Sequence, residues 1–152
     1  MPPRTKVLGR EALNKRLRQL APEAEKQAEV AKLEIAQDLA TAVKARAPHG
    51  ASDDYADSIQ AGYLRNNPNV KDLAGIRLSK DPDAAGIFAR FIWRFLEFGT
   101  APHINAGKFA GTKHPGTAAQ PHIFPTWRAM RRKAKRKIAG AINKAVRKVR
   151  KK

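Results

Sequence analysis

The sequence predicts an α+β fold: N-terminal helices, a small antiparallel sheet, a long loop and a basic amphipathic C-terminal helix. Three observations predict it. Apolar residues recur at steps of three and four near both ends of the chain, alternate loosely in the middle, and give way to a Gly-, Ala-, Thr- and Pro-rich stretch over residues 99–120.

The N-terminal helices come first. Leu13, Leu17 and Leu20 share one face of a short helix from Gly9 to Leu20. Pro22 interrupts it and is placed to open a second helix, where Glu23 and Glu25 suit the positive end. That helix is expected from about Pro22 to Arg46. Ala28, Ala31, Ile35, Leu39 and Ala42 form its stripe, and Pro48 stops it.

Gly, Ser and Asp between His49 and Asp57 mark a loop. Residues 58–65 and 70–80 then alternate loosely, separated by an Asn-Asn-Pro-Asn turn, and read as an antiparallel pair. After the Asp81-Pro82-Asp83 turn, Ala84 to Phe98 is the most apolar window. Its start suits a strand, while Phe88, Phe91, Ile92, Phe95 and Leu96 suit a short helix after it. Gly99 to Gln120 is a long loop, of a length that is usually functional. Beyond Pro121, a stripe of Trp127, Met130, Ala134, Ile138, Ile142, Ala145 and Val149 predicts a long helix docked through Trp127, Met130, Ile138 and Ile142.

The 152 residues suffice for about one domain with a modest core. Cysteine is absent, which removes disulfides and the usual zinc frameworks. No apolar run approaches the roughly 20 residues that span a bilayer. The N-terminal residues have no apolar stretch behind their basic ones, so no signal peptide is expected. The net charge of +18 is concentrated at one end. Residues 128–152 hold 13 basic side chains and no acidic one, whereas residues 48–127 hold 8 and 7. A polyanion or a strongly acidic protein is therefore expected against that end only. The chain divides accordingly into an α+β core with its long loop, residues 1–127, and a basic helix, residues 128–152.

His49, His103, His114 and His122 raise a metal site, but no acidic residue lies between His103 and His122 to support one. Exposed loop histidines are the expectation, and no metal or cofactor is expected. Asp53, Asp54 and Asp57 have no second acidic motif beside them, so capping or turn roles fit better than acid–base chemistry. No P-loop, nucleophile elbow or dinucleotide fingerprint is present. An enzyme is not expected. On the basic helix, Arg128, Arg131, Arg132, Lys135, Arg136, Lys144, Arg147 and Lys148 are the candidate contacts to DNA backbone or to an acidic partner. Without interleaved aromatics, any nucleic-acid contact would be to phosphates.

Two blocks carry a resemblance. Phe95-Leu-Glu-Phe-Gly-Thr100 is followed, after the loop, by Ala119-Gln-Pro-His-Ile-Phe-Pro125 at the root of the last helix. Together they resemble the tailed-bacteriophage tail-component (neck or tail-completion) family whose type member is gene product ten of phage HK-ninety-seven. Lys44-Ala-Arg-Ala-Pro48 and Ser58-Ile59 agree in outline; Ala51 to Asp57 replaces a Thr-Gly-x-Leu turn common in that family. The resemblance implies a virion protein at the head–tail junction, assembled in the host cytoplasm. It would form a ring with itself and join the connector or head-closure protein to a tail-tube or tail-terminator protein, with packaged DNA nearby and no membrane. Phe95, Glu97, Phe98, Gly99, Thr100, Pro121, Phe124 and Pro125 are its motif and candidate subunit contacts, and Ile104 and Phe109 are candidate loop contacts. Phe95 and Phe98 are expected to anchor in the core, and Phe124 and Trp127 to pin the last helix. The rival to this reading is a histone-like protein binding nucleic acid without sequence preference. The neutral centre and the Phe-Gly-Thr block would then go unexplained.

Overall fold

Residues 20–44 are rich in Ala, Leu, Glu, Lys and Gln, all strong helix formers. In the computed structural model, which describes residues 10–50, 53–66, 81 and 83–150, they belong to one unbroken helix, α1, Arg10–Lys44. The expected break at Pro22 does not occur. A proline inside a helix loses one hydrogen bond and crowds the carbonyl four residues back. Pro22 is exposed, so this interruption faces water, well before the buried stretch of α1 that runs from Ala31 to Val43.

A short helix, α2 (Asp54–Asp57), follows within the expected loop. Strand β1 (Gln60–Tyr63) pairs antiparallel with β2 (Ala85–Phe88), in the register Gln60↔Phe88 to Tyr63↔Ala85. The strand expected over 70–80 lies outside the described residues. Helix α3 (Trp93–Phe98) comes next, as its helical spacing predicted. The loop after it is not structureless. Strands β3 (His103–Ile104) and β4 (Lys113–His114) pair antiparallel, and Thr100 and Thr117 bridge below them. Gly99 and Gly116 make this hairpin possible. Both have positive φ (72° and 86°), and a Cβ on either would run into backbone of the opposite arm. The glycines that suggested a free loop are the residues that let its two arms close.

Helix α4 (Ile123–Arg150) returns antiparallel along α1. Arg46 reaches Thr126 at one end, and Lys148 meets Glu23 at the other. Buried alanines line the contact, Ala31 on α1 with Ala134 and Ala145 on α4, while Ala40 packs in the core with Val43 and Tyr55. Small side chains let two helix backbones approach closely. The docked face follows the expected stripe through its alanines, while its larger members are covered only in part. Met130 and Ile138 are half-buried, whereas Trp127 and Ile142 are 38% and 37% exposed. The larger core gathers where α1, α2 and the sheet meet, around Leu39, Val43, Tyr55 and Ile59. Among the described residues no helix is long and apolar enough to cross a membrane.

Candidate functional site

The motif residues converge at the root of α4, and they divide there into an inward and an outward set. A six-residue helix turns its side chains in all directions, and α3 shows the consequence. Glu97 points in and is 3% exposed, while Phe95 and Phe98 on either side of it are 50% and 62% exposed. The core anchoring expected of the two phenylalanines is not what the structure shows.

Glu97 caps α4. The first backbone N–H groups of a helix lack partners within it, and here a carboxylate supplies them. Its Oε2 accepts from His122 N and Ile123 N, both at 2.8 Å, and its Oε1 accepts from Phe124 N at 2.9 Å. Burial pushes the Glu97 carboxyl pKa up. The three backbone donors outweigh that, and the group sits below its ordinary value.

His122 extends the arrangement. Expected as an exposed loop residue, it is 2% exposed. Its Nδ1 lies 2.7 Å from the Gln120 carbonyl, which can only accept, so Nδ1 carries the proton. Nε2 is then free to accept from the Tyr55 hydroxyl at 2.7 Å. Burial, and then the charge of Glu97, push the Tyr55 pKa up to about 12. Thr126 completes the cluster, donating to the His122 carbonyl at 2.6 Å. No buried polar side-chain atom is left without a partner among the described residues. The cluster is closed on itself, and it fixes where α4 begins and how it meets α2. Sequence reasoning missed Tyr55 and His122 as partners because 67 residues separate them. The one available signal was a histidine just before a helix start.

The outward set forms an aromatic surface. Phe98 stacks at a tilt on Phe124, centroids 5.8 Å apart, and on Trp93 at 6.4 Å. Phe91 and Phe95 meet edge to face at 6.5 Å. Phe91 is 77% exposed. Thr100 lies beside Thr117, hydroxyl to hydroxyl at 3.2 Å; Pro121 is exposed and Pro125 half-buried. The hairpin carries Ile104 and Phe109 in the open, at 60% and 66% exposure. His103 and His114 stack across it with centroids 4.9 Å apart. Among the described residues no group of three or more possible ligands could hold a metal. The three aspartates of the α2 region have different partners: Asp53 meets His49, Asp54 meets Arg90, and Asp57 meets Lys44.

The basic face of α4 is partly neutralised from within. Lys137 lies 3.0 Å from Glu34 and 3.6 Å from Asp38, Lys133 lies 3.8 Å from Asp38, and Lys148 lies 3.1 Å from Glu23. Thus Lys148, a candidate partner contact, is already engaged. Arg128, Arg131, Arg132, Lys135, Arg136, Lys144 and Arg147 are exposed and make no ion pair among the described residues.

At the root of α4 a closed polar cluster thus stands beside an outward aromatic face. In comparison with family models, residues 11–99, more than half of the chain, match the family described as "Bacteriophage HK97-gp10, putative tail-component". The chain belongs to this family of phage tail components, a structural one. The match takes in the block from Phe95 to Gly99, and the Gln120–Pro125 block lies beyond it. Neither curated proteins nor solved structures yield a match.

Proposed function

We propose that this tail component acts at the head–tail junction, as a neck or tail-completion protein that closes into a ring and joins the connector to the tail tube. The observation that carries the reading is the division of the family block at α3. Glu97 is consumed in capping α4, while Phe95 and Phe98 are held on the surface by the same short helix. Large exposed aromatics beside one another are unusual on a monomer and typical of a contact that is completed by another chain.

A cyclic ring needs two different complementary surfaces on each subunit. Two are available. The hairpin presents Ile104 and Phe109, and an apolar cleft lined by Val43, Ile59, Ile87, Trp93 and Ile123 opens beside Phe124. In this arrangement the hairpin of one subunit reaches the aromatic face of the next, and residues 1–127 supply the ring while residues 128–152 face a further partner. The reaction catalysed is none; contact is the function.

Deleting residues 103–117 tests it. The hairpin makes none of the polar contacts at the root of α4, so the truncated chain should fold, remain monomeric by sedimentation, and fail to complete tails. Infectious particles of normal length from that deletion would refute the reading.

A further inference from the structure

Arg128, Arg131, Lys135, Ile138, Ile142 and Val146 follow one another along α4 at steps of three or four residues. At 3.6 residues per turn they fall within a strip roughly 80° wide and roughly 27 Å long. The strip lies about a quarter-turn from the face that Met130, Ala134, Ala141 and Ala145 turn to α1. Its three cations are exposed and hold no ion pair among the described residues. Ile142 and Val146 are each 37% exposed, and Ile138 is half-buried. The strip is ordered: cations occupy the half toward the root of α4, aliphatic side chains the half toward its end.

Among the described residues, a second copy of the chain has little free acid to offer the cationic half. Among the carboxylates whose side chains are described, Glu97 caps α4, Asp53 meets His49, and all the others but Glu25 meet a lysine or arginine. A chain of net charge +18 also repels its copies wherever its basic faces meet. A nucleic-acid backbone would satisfy the cations but offers phosphate and water to three aliphatic side chains, half of the strip. The remaining chemistry is a surface whose carboxylates end where an apolar patch begins.

We propose that this strip docks an amphipathic acidic segment of a different protein, its carboxylates over Arg128, Arg131 and Lys135 and its aliphatic side chains over Ile138, Ile142 and Val146. The inference names a partner chemistry for α4 and stands whether or not the chain forms rings.

The test uses the full chain and three labelled probes at about 0.15 M ionic strength. One is a helical peptide with glutamates on one half of a face and leucines on the other half. The second has the same composition with the two residue types interspersed, and the third is a short random-sequence DNA duplex. The blocked peptide should bind about tenfold more tightly than the interspersed one. The double substitution Ile142→Ser, Val146→Ser should erase that difference. Arg128→Gln, Arg131→Gln, Lys135→Gln should weaken both peptides. The three cations are exposed, so their variant should melt as the parent does. Ile142 and Val146 are only about one-third exposed, so their serine variant should melt somewhat lower, and binding is compared at a temperature where circular dichroism shows every variant folded. Equal binding of the two peptides would overturn the register, leaving charge alone. Tighter binding of the duplex, indifferent to the Ile142 and Val146 substitutions, would make the surface a phosphate face. Loss of self-association in the serine variant would assign the strip to a second copy. Ring formation is read separately by sedimentation of the parent, so failure of the ring leaves this result interpretable.

Discussion

The two ends of α4 are held by different physics. At its root, Glu97, His122, Tyr55 and Thr126 are all buried, and each polar atom has a partner at 2.6–2.9 Å. Along its body, Lys133, Lys137 and Lys148 reach the acids of α1 across solvent, with ammonium groups 3.0–3.8 Å from carboxylates. Few contacts out of water outweigh many in it. A buried acceptor cannot be replaced by water when it is lost, whereas an exposed ion pair exchanges for hydration at little cost. The root therefore sets the position of the helix, and the charged body mainly tolerates it.

Glu97→Ala probes the contrast most severely. It strands three N–H groups at a buried helix start, and hydrogen bonds to a charged group contribute roughly 1.5–3 kcal/mol each without full additivity. A loss of about 3 kcal/mol or more in denaturant unfolding is expected, with the α4 ellipticity reduced. A loss under about 1 kcal/mol would mean that alanine packing alone positions the helix. The same carboxyl has a lowered folded pKa, so its stabilisation is present above its unfolded value and declines as acid titrates the folded group.

Tyr55→Phe should cost about 1–2 kcal/mol near neutrality, because Nε2 of His122 then lacks its donor. It should also change the alkaline limb. The folded tyrosine titrates at about 12, above the unfolded value of roughly 10. The parent keeps this contribution below pH ~10 and loses it as pH rises toward the folded value. The phenylalanine variant should show a flatter decline across that window; an identical slope would place the alkaline sensitivity elsewhere.

The smaller effects lie further along the helix. Trp127→Ala should cost about 1–2 kcal/mol, less than the 3–5 typical of a core aromatic, since the indole is 38% exposed. Lys137→Gln should cost less than about 1 kcal/mol, and that cost should shrink further in salt. A salt-insensitive loss would show the Glu34–Lys137–Asp38 group to be better shielded than its exposure indicates.

The elements themselves were legible because they rest on local rules. Three- and four-residue steps gave the stretches that became α1 and α4, alternation gave β1, and the Phe-rich window gave a strand followed by a helix. Gly99 was legible as a sharp exit, since only a residue without Cβ adopts its φ so near the opposing Thr117 backbone. Pro22 was misleading because its local cost is outweighed by a long packed face that local rules do not see.

Composition and order alone determined the α+β class, the neutral centre, the 13 basic and no acidic side chains of residues 128–152 and the two blocks that resemble the tail-component family. Tertiary structure decided which side chains those patterns would bury. It buried Ala134 and Ala145 on α4 and left Trp127 and Ile142 partly exposed, because close helix approach favours small residues. It folded the glycine-rich loop into a hairpin, and it turned Phe95 and Phe98 out while taking Glu97 in. That last choice has a physical reason no single segment contains: a helix start twenty-five residues further on needs an acceptor, and Glu97 stands within reach of it.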